Sequence, residues 1–330
     1  MRPLFHPTLV NGRFGDPALY IETLFESRTV MFDLGDISAL GARKIQRISH
    51  VFISHAHIDH FVGFDQLLRL LVGRDKTVHL YGPPGFTAHV HHKLHGYQWN
   101  LVDLYRSDLM FVVHELQAEN SVCVTRLRLK TAFTPEALDA TPLVDGILHS
   151  GPTFRISAAL LEHRTPCLGF ALQEKTHINV WKTRLLGRGL AVGPWLAELK
   201  RAVAEDRADD YPISTDAAHA RQPIPLGELR DLLTITPGQK IAYVTDVSDT
   251  PANREAIVAL ARDADVLFIE AAFARADAAL AAERAHLTTE AAGELARAAG
   301  AHRVEPFHFS PRYAGEEADM LAEVSAAFSG

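Results

Sequence analysis

Short apolar runs rich in β-branched and aromatic residues alternate along the chain with longer stretches of helical period. The runs "TVMFDLG", "HVFIS", "TVHLYG", "KIAYVTD", "DVLFIEA" and "RVEPFHF" predict strands. Several are continuously apolar rather than alternating, which places them in sheets covered on one side by helices. "FDQLLRLLVG", "NREAIVALARDA", "TTEAAGELARAAGA" and "EEADMLAEVSAAF" space apolar residues three and four apart and predict amphipathic helices. In the third, Thr288 or Thr289 can cap the start and Gly300 can close the end. No repeat, low-complexity linker or sustained heptad breaks this layering of sheet and helix.

Composition changes the picture little: 47% hydrophobic and 22% charged residues in 330 describe an ordinary globular chain with enough apolar material for a large core. A formal charge of -7 argues against an unselective nucleic-acid coat while leaving room for a local basic patch. Ala171 to Arg201 carries six basic residues, Lys175, Lys182, Arg184, Arg188, Lys200 and Arg201, against Glu174 and Glu198. The stretch after it, "AEDRADDYPISTD", turns acidic. That reversal, bracketed by Gly193-Pro194 and Pro212, predicts an arm-like insertion at about 171–224 within a single domain spanning 1–330. Cys123 and Cys167 are too few for a disulfide framework or a thiolate zinc site. The opening "MRPLFHPTLVNGRFGD" has no apolar signal-like core, and no apolar run reaches the roughly 18 residues of a membrane span. A soluble cytoplasmic protein with no membrane partner is expected.

The densest chemistry is in "ISHAHIDHFVGFD", where three histidines and an aspartate fall within six residues directly after a predicted strand. In an extended segment residues two apart face the same way, so His55 and His57 can place two imidazoles on one ion. Asp59 and His60 can serve a second ion if the chain turns there, and "FVGFDQLLRLL" begins as a helix would. Two ions need more ligands than one loop supplies, which predicts further His or Asp at other strand ends. His163 in "LLEHRTPCLGF", Asp246 in "KIAYVTDV" and His308 in "VEPFHFSPRY" fit. A carboxylate has two oxygens and can bridge two ions, a role open to Asp246 and closed to an imidazole. His91 and His95 in "HVHHKLH" also have a ligand spacing, but without a carboxylate companion they read as a solvated helix face. Trp181 and Trp195 read as loop anchors ahead of base-stacking platforms.

Taken in order, "FDLGD", "SHAHIDH", "LEHRTPCLGF", "YVTD" and "FHFSPRY" resemble the metallo-β-lactamase superfamily, and within it the ribonuclease Z group, from about Val30 to Tyr313. The resemblance implies an αββα sandwich with a two-metal site at the edge between its sheets. It implies that His55, His57 and His163 hold one zinc, that Asp59, His60 and His308 hold the other, and that Asp246 bridges them, with manganese or iron as alternative metals. By the same resemblance Asp33 braces the histidine loop, and Ser310 and Arg312 contact phosphate. Asp59 would accept a proton from the attacking water, and His286, its ring held by Glu270, would protonate the leaving oxygen. The implied activity is phosphodiester hydrolysis on precursor tRNA, by a homodimer. Three features depart from the family pattern: no glycine-rich turn opens "PTLVNGRFGDPAL", Thr245-Asp246-Val247 stands for the usual Gly-Asp-Thr, and Ile269 stands where a histidine precedes the glutamate. The competing readings are a small phosphodiester such as a cyclic nucleotide, a lactone or ester substrate, a di-iron redox or gas sensor, and a non-catalytic binding protein.

Overall fold

The six predicted strands form at Thr29–Phe32, Ile48–Phe52, Lys76–Gly82, Lys240–Val244, Val266–Glu270 and Val304–Phe307 in the computed structural model, which describes residues 4–24, 28–117, 121–215 and 223–330. They belong to two sheets. In the first, eight strands neighbour one another in chain order from Phe5–Leu9 to Glu136–Pro142. The second has six, in the order Val304–Phe307, Val266–Glu270, Lys240–Val244, Pro166–Glu174, Phe154–Glu162 and Ile147–Ser150. Four neighbours of the first sheet, Thr29–Phe32 through Leu109–Leu116, run parallel, as do the three strands at the Val304–Phe307 side of the second.

Burial on both faces explains the continuously apolar runs. Phe32, Phe52 and Tyr81 of the first sheet meet Phe170, Tyr243 and Phe307 of the second in one aromatic core, and the Phe32 and Phe170 rings stack with centroids 5.4 Å apart. The outer face of the first sheet is covered by Phe64, Leu67 and Leu71 of helix Phe64–Leu71 and by Phe86 and Val90 of helix Phe86–His95. Helices Pro251–Ala261, Thr289–Ala298 and Glu317–Ser329 cover the second. The layers therefore run helix, sheet, sheet, helix: an αββα sandwich. Thr288 is the residue that caps helix Thr289–Ala298, accepting from the Ala291 amide at 3.1 Å, and Gly300 follows that helix with φ +68.

The chain divides into two compact units, Met1–Gln173 with Gln239–Gly330, and Glu174–Gly238. The second has its own small core, in which Leu185, Trp195, Leu199, Leu226, Leu229 and Leu232 are buried beside the pairing of His177–Val180 with Leu233–Thr236. Trp195 is an anchor there, its indole N–H donating to the Ala191 carbonyl at 3.0 Å. Two of the arginines in the basic stretch are engaged inside this unit. Arg188 pairs with Asp231 at 2.6 Å and donates to the Glu228 carbonyl, while Arg184 donates to the Asp231 carbonyl and lies 4.2 Å over the exposed Trp181 ring.

One polar cluster inside the first unit has a consequence for stability. His50, His79 and His114, on three neighbouring strands, gather with His149 around Tyr81. His79 Nδ1 lies 3.1 Å from His114 Nε2, and Tyr81 Oη 3.2 Å from His149 Nδ1. Burial, reinforced by the neighbouring imidazoles, pushes His50 down to about 3 and His114 and His149 down to about 4, and Arg28 adds to the effect on His50. A folded-state pKa below the unfolded one means that the unfolded chain takes up protons first as pH falls. The stabilisation held by neutral imidazoles is complete above pH 6.5 and is lost between pH 6.5 and 3 to 4. At pH 5 His50 alone is expected to cost up to about 2 kcal/mol. Denaturant midpoints measured at pH 7 and pH 5 should therefore draw closer in His50→Phe; an unchanged gap would remove His50 as a cause of acid instability.

Candidate metal centre and active site

Most of the site side chains expected from the sequence follow the carboxyl ends of strands. Asp33 follows Thr29–Phe32, the histidine loop follows Ile48–Phe52, His163 follows Phe154–Glu162, Asp246 lies two residues beyond Lys240–Val244, Glu270 ends Val266–Glu270, and His308 follows Val304–Phe307. Ligands collect outside the carboxyl ends of parallel strands in open α/β sheets, and the parallel strands of both sheets here point toward one site. His57 precedes a single helical turn, Ile58–Phe61, which swings Asp59 and His60 past the first pair of imidazoles. The turn lies against the Asp33 loop. Gly63 permits this, because a Cβ there would come 2.2 Å from the Gly35 carbonyl oxygen.

Asp33 is fully buried, in the left-handed region at φ +54, and is the hub of the loop. Its carboxylate accepts from the Ser54 amide at 2.7 Å, the Ser54 hydroxyl at 2.8 Å and the Tyr243 hydroxyl at 2.9 Å, and it faces His60 Nδ1 at 2.9 Å. The His60 ring is thereby turned so that Nε2 faces Asp59 and Asp246, each at 3.4 Å. Partners of this kind, which orient a ligating imidazole, typically carry about ten- to a hundredfold in metal affinity. Asp33→Asn keeps the volume and presents an N–H where an acceptor is needed. It is expected to weaken metal binding by that factor, measured by competition with a chromophoric chelator; unchanged affinity would leave Asp33 with a purely structural role.

His55, His57, His163 and Asp246 offer ligand atoms that all lie within 4.8 Å of one another, and so do Asp59, His60 and His308. Asp246 touches both groups. Its Oδ2 lies 3.7 Å from His55 Nε2, 3.6 Å from His163 Nε2 and 3.4 Å from His60 Nε2, while its Oδ1 lies 2.7 Å from His308 Nδ1. His163 has its Nδ1 against the Ala285 carbonyl at 2.8 Å, leaving Nε2 for the centre. His60 Nε2 and His308 Nδ1 are buried and face carboxylate oxygens without hydrogen-bond geometry, an arrangement that suits nitrogens and carboxylates turned toward a shared cation. Burial would raise the Asp246 carboxyl, but the facing His308 and His60 hold it well below its ordinary value. Burial opposes charge on His308 too, yet Asp246 lifts it to about 10. His55 goes the other way, pushed down to about 2 by burial and then by His60. The centre is a demand for positive charge lined with imidazole and carboxylate donors, which fits bound metal cations.

Beside the two groups, His286 Nδ1 lies 3.1 Å from both oxygens of Glu270. Glu270 is fully buried and also accepts from the Val247 amide at 2.8 Å, so one carboxylate fixes the His286 ring and the backbone just after Asp246. For His286, burial works against the charged form and the Glu270 carboxylate outweighs it, setting its pKa above the ordinary value. The Thr245 hydroxyl, at the position of the Gly-to-Thr departure, donates to Asp246 Oδ1 at 3.2 Å. The Ile269 departure lies in the apolar core.

An open cleft of about 690 Å³ exposes this chemistry, and Ser310 and Arg312 line it together with His57, Asp59, His163 and His286. Arg312 lies 3.5 Å from Asp277 and 6.0 Å over Phe273. The cleft also holds Arg164 and Arg284, to which sequence reasoning gave no role, although Arg164 adjoins His163 and Arg284 lies two residues before His286. The His91 and His95 rings lie tilted against each other, centroids 4.2 Å apart, on helix Phe86–His95, outside the potential metal-binding groups found among the described residues.

Fold and donor set together define a metallo-hydrolase, and comparison with known proteins agrees. The model of the beta-lactamase superfamily domain matches residues 34–181 and 227–309. Ribonuclease Z of Deinococcus radiodurans is 34% identical over 293 residues, covering 88% of this chain and 84% of its own length. Ribonuclease BN of Cronobacter sakazakii is 30% identical over 286 residues, covering 86% and 78%. The fold is shared with the short form of human tRNase Z, at TM-score 0.53, 20% identity and coverage of 93% of this chain and 92% of that one. It is also shared with the metallo-β-lactamase fold protein YhfI of Bacillus subtilis, at TM-score 0.56, 16% identity and coverage of 98% and 95%. The chain belongs to the β-lactamase superfamily and, within it, to the ribonuclease Z family. It is a metal-dependent hydrolase of phosphodiester bonds.

Proposed function

We propose that this chain is a dinuclear zinc endoribonuclease that trims the 3′ ends of precursor tRNA in the cytoplasm. The observation that carries the reading is Asp246, one buried carboxylate facing histidines of both donor groups at the floor of an open, arginine-lined cleft. Relatives named ribonuclease Z supply the substrate class. No helix among the described residues is long and apolar enough to cross a membrane. His55, His57 and His163 would hold one ion, Asp59, His60 and His308 the other, and Asp246 both. Imidazole and carboxylate donors without thiolate suit zinc. Such a pair, when bound, polarises a phosphoryl oxygen and makes water nucleophilic near neutral pH.

The remaining work falls to the chain's own residues. Asp59, at the partly exposed edge of the second group, accepts the proton of the attacking water. His286, its Nδ1 occupied by Glu270, presents Nε2 to the cleft and gives a proton to the leaving oxygen. Arg312 neutralises non-bridging phosphate oxygens and Ser310 hydrogen-bonds to them. Positive side chains beside the donor groups suit the charge of a phosphodiester better than that of a peptide.

The test is a substrate panel of precursor tRNA, bis(p-nitrophenyl) phosphate, cyclic AMP and an acyl lactone, run with zinc and with manganese. Site-specific cleavage of the tRNA at a kcat/KM well above that of the small substrates is expected. Turnover of cyclic AMP or the lactone with intact tRNA would overturn the substrate, and iron in protein purified without added metal would overturn the zinc.

A further inference from the structure

Three arginines line the cleft, and they are not equivalent. Arg312 already has a carboxylate, Asp277, at 3.5 Å. Arg164 and Arg284 are exposed and, among the described residues, neither guanidinium is paired with a carboxylate. Arg164 is held by the backbone around it, and Arg284 stands at a helix end joined to the same site. Arg164 is in the left-handed region at φ +52, its amide donates to the Glu162 carboxylate, and its Nη2 donates to the Glu283 carbonyl. Arg284 ends helix Ala278–Arg284, and Ala285 after it is also left-handed, at φ +62. The Ala285 carbonyl is the one that orients His163, and the His286 amide returns to Ala281 at 2.9 Å. The two loops carrying the arginines are thus tied together by the contacts that aim a metal-ligating histidine and the histidine held by Glu270.

Non-glycine residues in the left-handed region cost energy and persist where the surroundings over-determine them, often at ligand clamps. Here two such residues, Arg164 and Ala285, one on each loop, set the backbone from which Arg164 and Arg284 line the cleft. A cleft of about 690 Å³ is far larger than one phosphate group needs. We propose that Arg164 and Arg284 form a second phosphate seat, which takes the phosphodiester adjacent to the scissile one and makes this site selective for polynucleotides over isolated diesters. The proposal rests on the phosphodiester reading of the same site. Planar guanidinium groups match phosphate oxygens in bidentate fashion, which a solvated rim cation has no need to do.

The experiment measures binding, so that it does not depend on turnover. Adenosine 3′,5′-bisphosphate and adenosine 5′-monophosphate are titrated calorimetrically into the metal-loaded full chain, as wild type, as Arg164→Ala/Arg284→Ala and as the corresponding double Lys variant. Wild type is expected to bind the bisphosphate roughly ten- to a hundredfold more tightly than the monophosphate, the range of one or two charge-assisted contacts. The Ala double variant should bind both alike, the Lys variant should fall between, and thermal midpoints should match. Bisphosphate binding should also weaken less with added salt in the Ala variant than in wild type, because two of the cations that salt screens are gone. No preference for the bisphosphate in wild type, or an undiminished preference in the Ala variant, overturns the seat and leaves the arginines as solvated cations. If the substrate panel shows no phosphodiester turnover while the bisphosphate preference depends on the arginines, the reaction assignment fails and the seat stands.

Discussion

Asp246→Ala is expected to lose at least one metal equivalent and to lower hydrolysis by roughly a thousandfold or more while the sandwich stays folded. The size follows from the several kcal/mol that a metal ion contributes to stabilising transition-state charge, at about 1.36 kcal/mol per tenfold in rate. The residue is 3% exposed, and its two oxygens face His55, His60, His163 and His308, so that among the described residues it is the carboxylate that faces histidines of both donor groups. Its removal leaves the aromatic core of Phe32, Phe170 and Tyr243 untouched, which is why the fold should survive. His57→Ala is the control. His57 is exposed and belongs to one donor group only, so that variant should keep the other ion and lose less activity. Metal content by mass spectrometry, circular dichroism and kcat on bis(p-nitrophenyl) phosphate decide the matter. A full complement of metal in Asp246→Ala would sink the bridging assignment.

What the sequence made legible was whatever depends on near neighbours. The spacing of His55, His57, Asp59 and His60 announces ligands because two-residue and one-turn periodicities are local, and the apolar runs announce strands because burial on both faces leaves no alternation. The partners of Asp33 are another matter. Its acceptors are filled by Ser54 and by Tyr243, 21 and 210 residues away, so bracing the loop was readable only through family resemblance. The carbonyl that aims His163 belongs to Ala285, which has no side-chain chemistry to announce it. Strand Glu136–Pro142 is exposed along its length, ends in proline and carries no apolar period, so nothing in its composition marks an edge strand. The basic stretch shows the same limit: Arg188 pairs with the Asp231 carboxylate and Arg184 donates to the Asp231 carbonyl, some forty residues on in the same unit. Charge counted along a chain does not show which cations the fold leaves unpaired, and for the same reason Arg164 and Arg284 passed without notice.

His286→Ala is expected to retain both metals and to hydrolyse substrates with poor leaving groups, such as an RNA alkoxide, about a hundredfold more slowly, the lower range of what a positioned general acid contributes. On bis(p-nitrophenyl) phosphate the loss should be small, because p-nitrophenolate departs without a proton. The contrast separates proton donation from a structural effect, since a disturbed metal centre would slow both substrates alike. Metal content must be measured alongside, because His286 also has a ring nitrogen within 4.8 Å of ligand atoms of Asp246 and His308. Loss of an ion in His286→Ala would recast this histidine as a ligand. Glu270→Gln supplies the second arm: it weakens the hold on His286 Nδ1 and also the bond from the Val247 amide, one residue beyond Asp246. That variant should reproduce the leaving-group contrast and add a loss common to both substrates. Equal losses on the two substrates in His286→Ala, with both metals in place, would remove the acid role and leave the Glu270–His286 pair as a support for the metal-ligating loops.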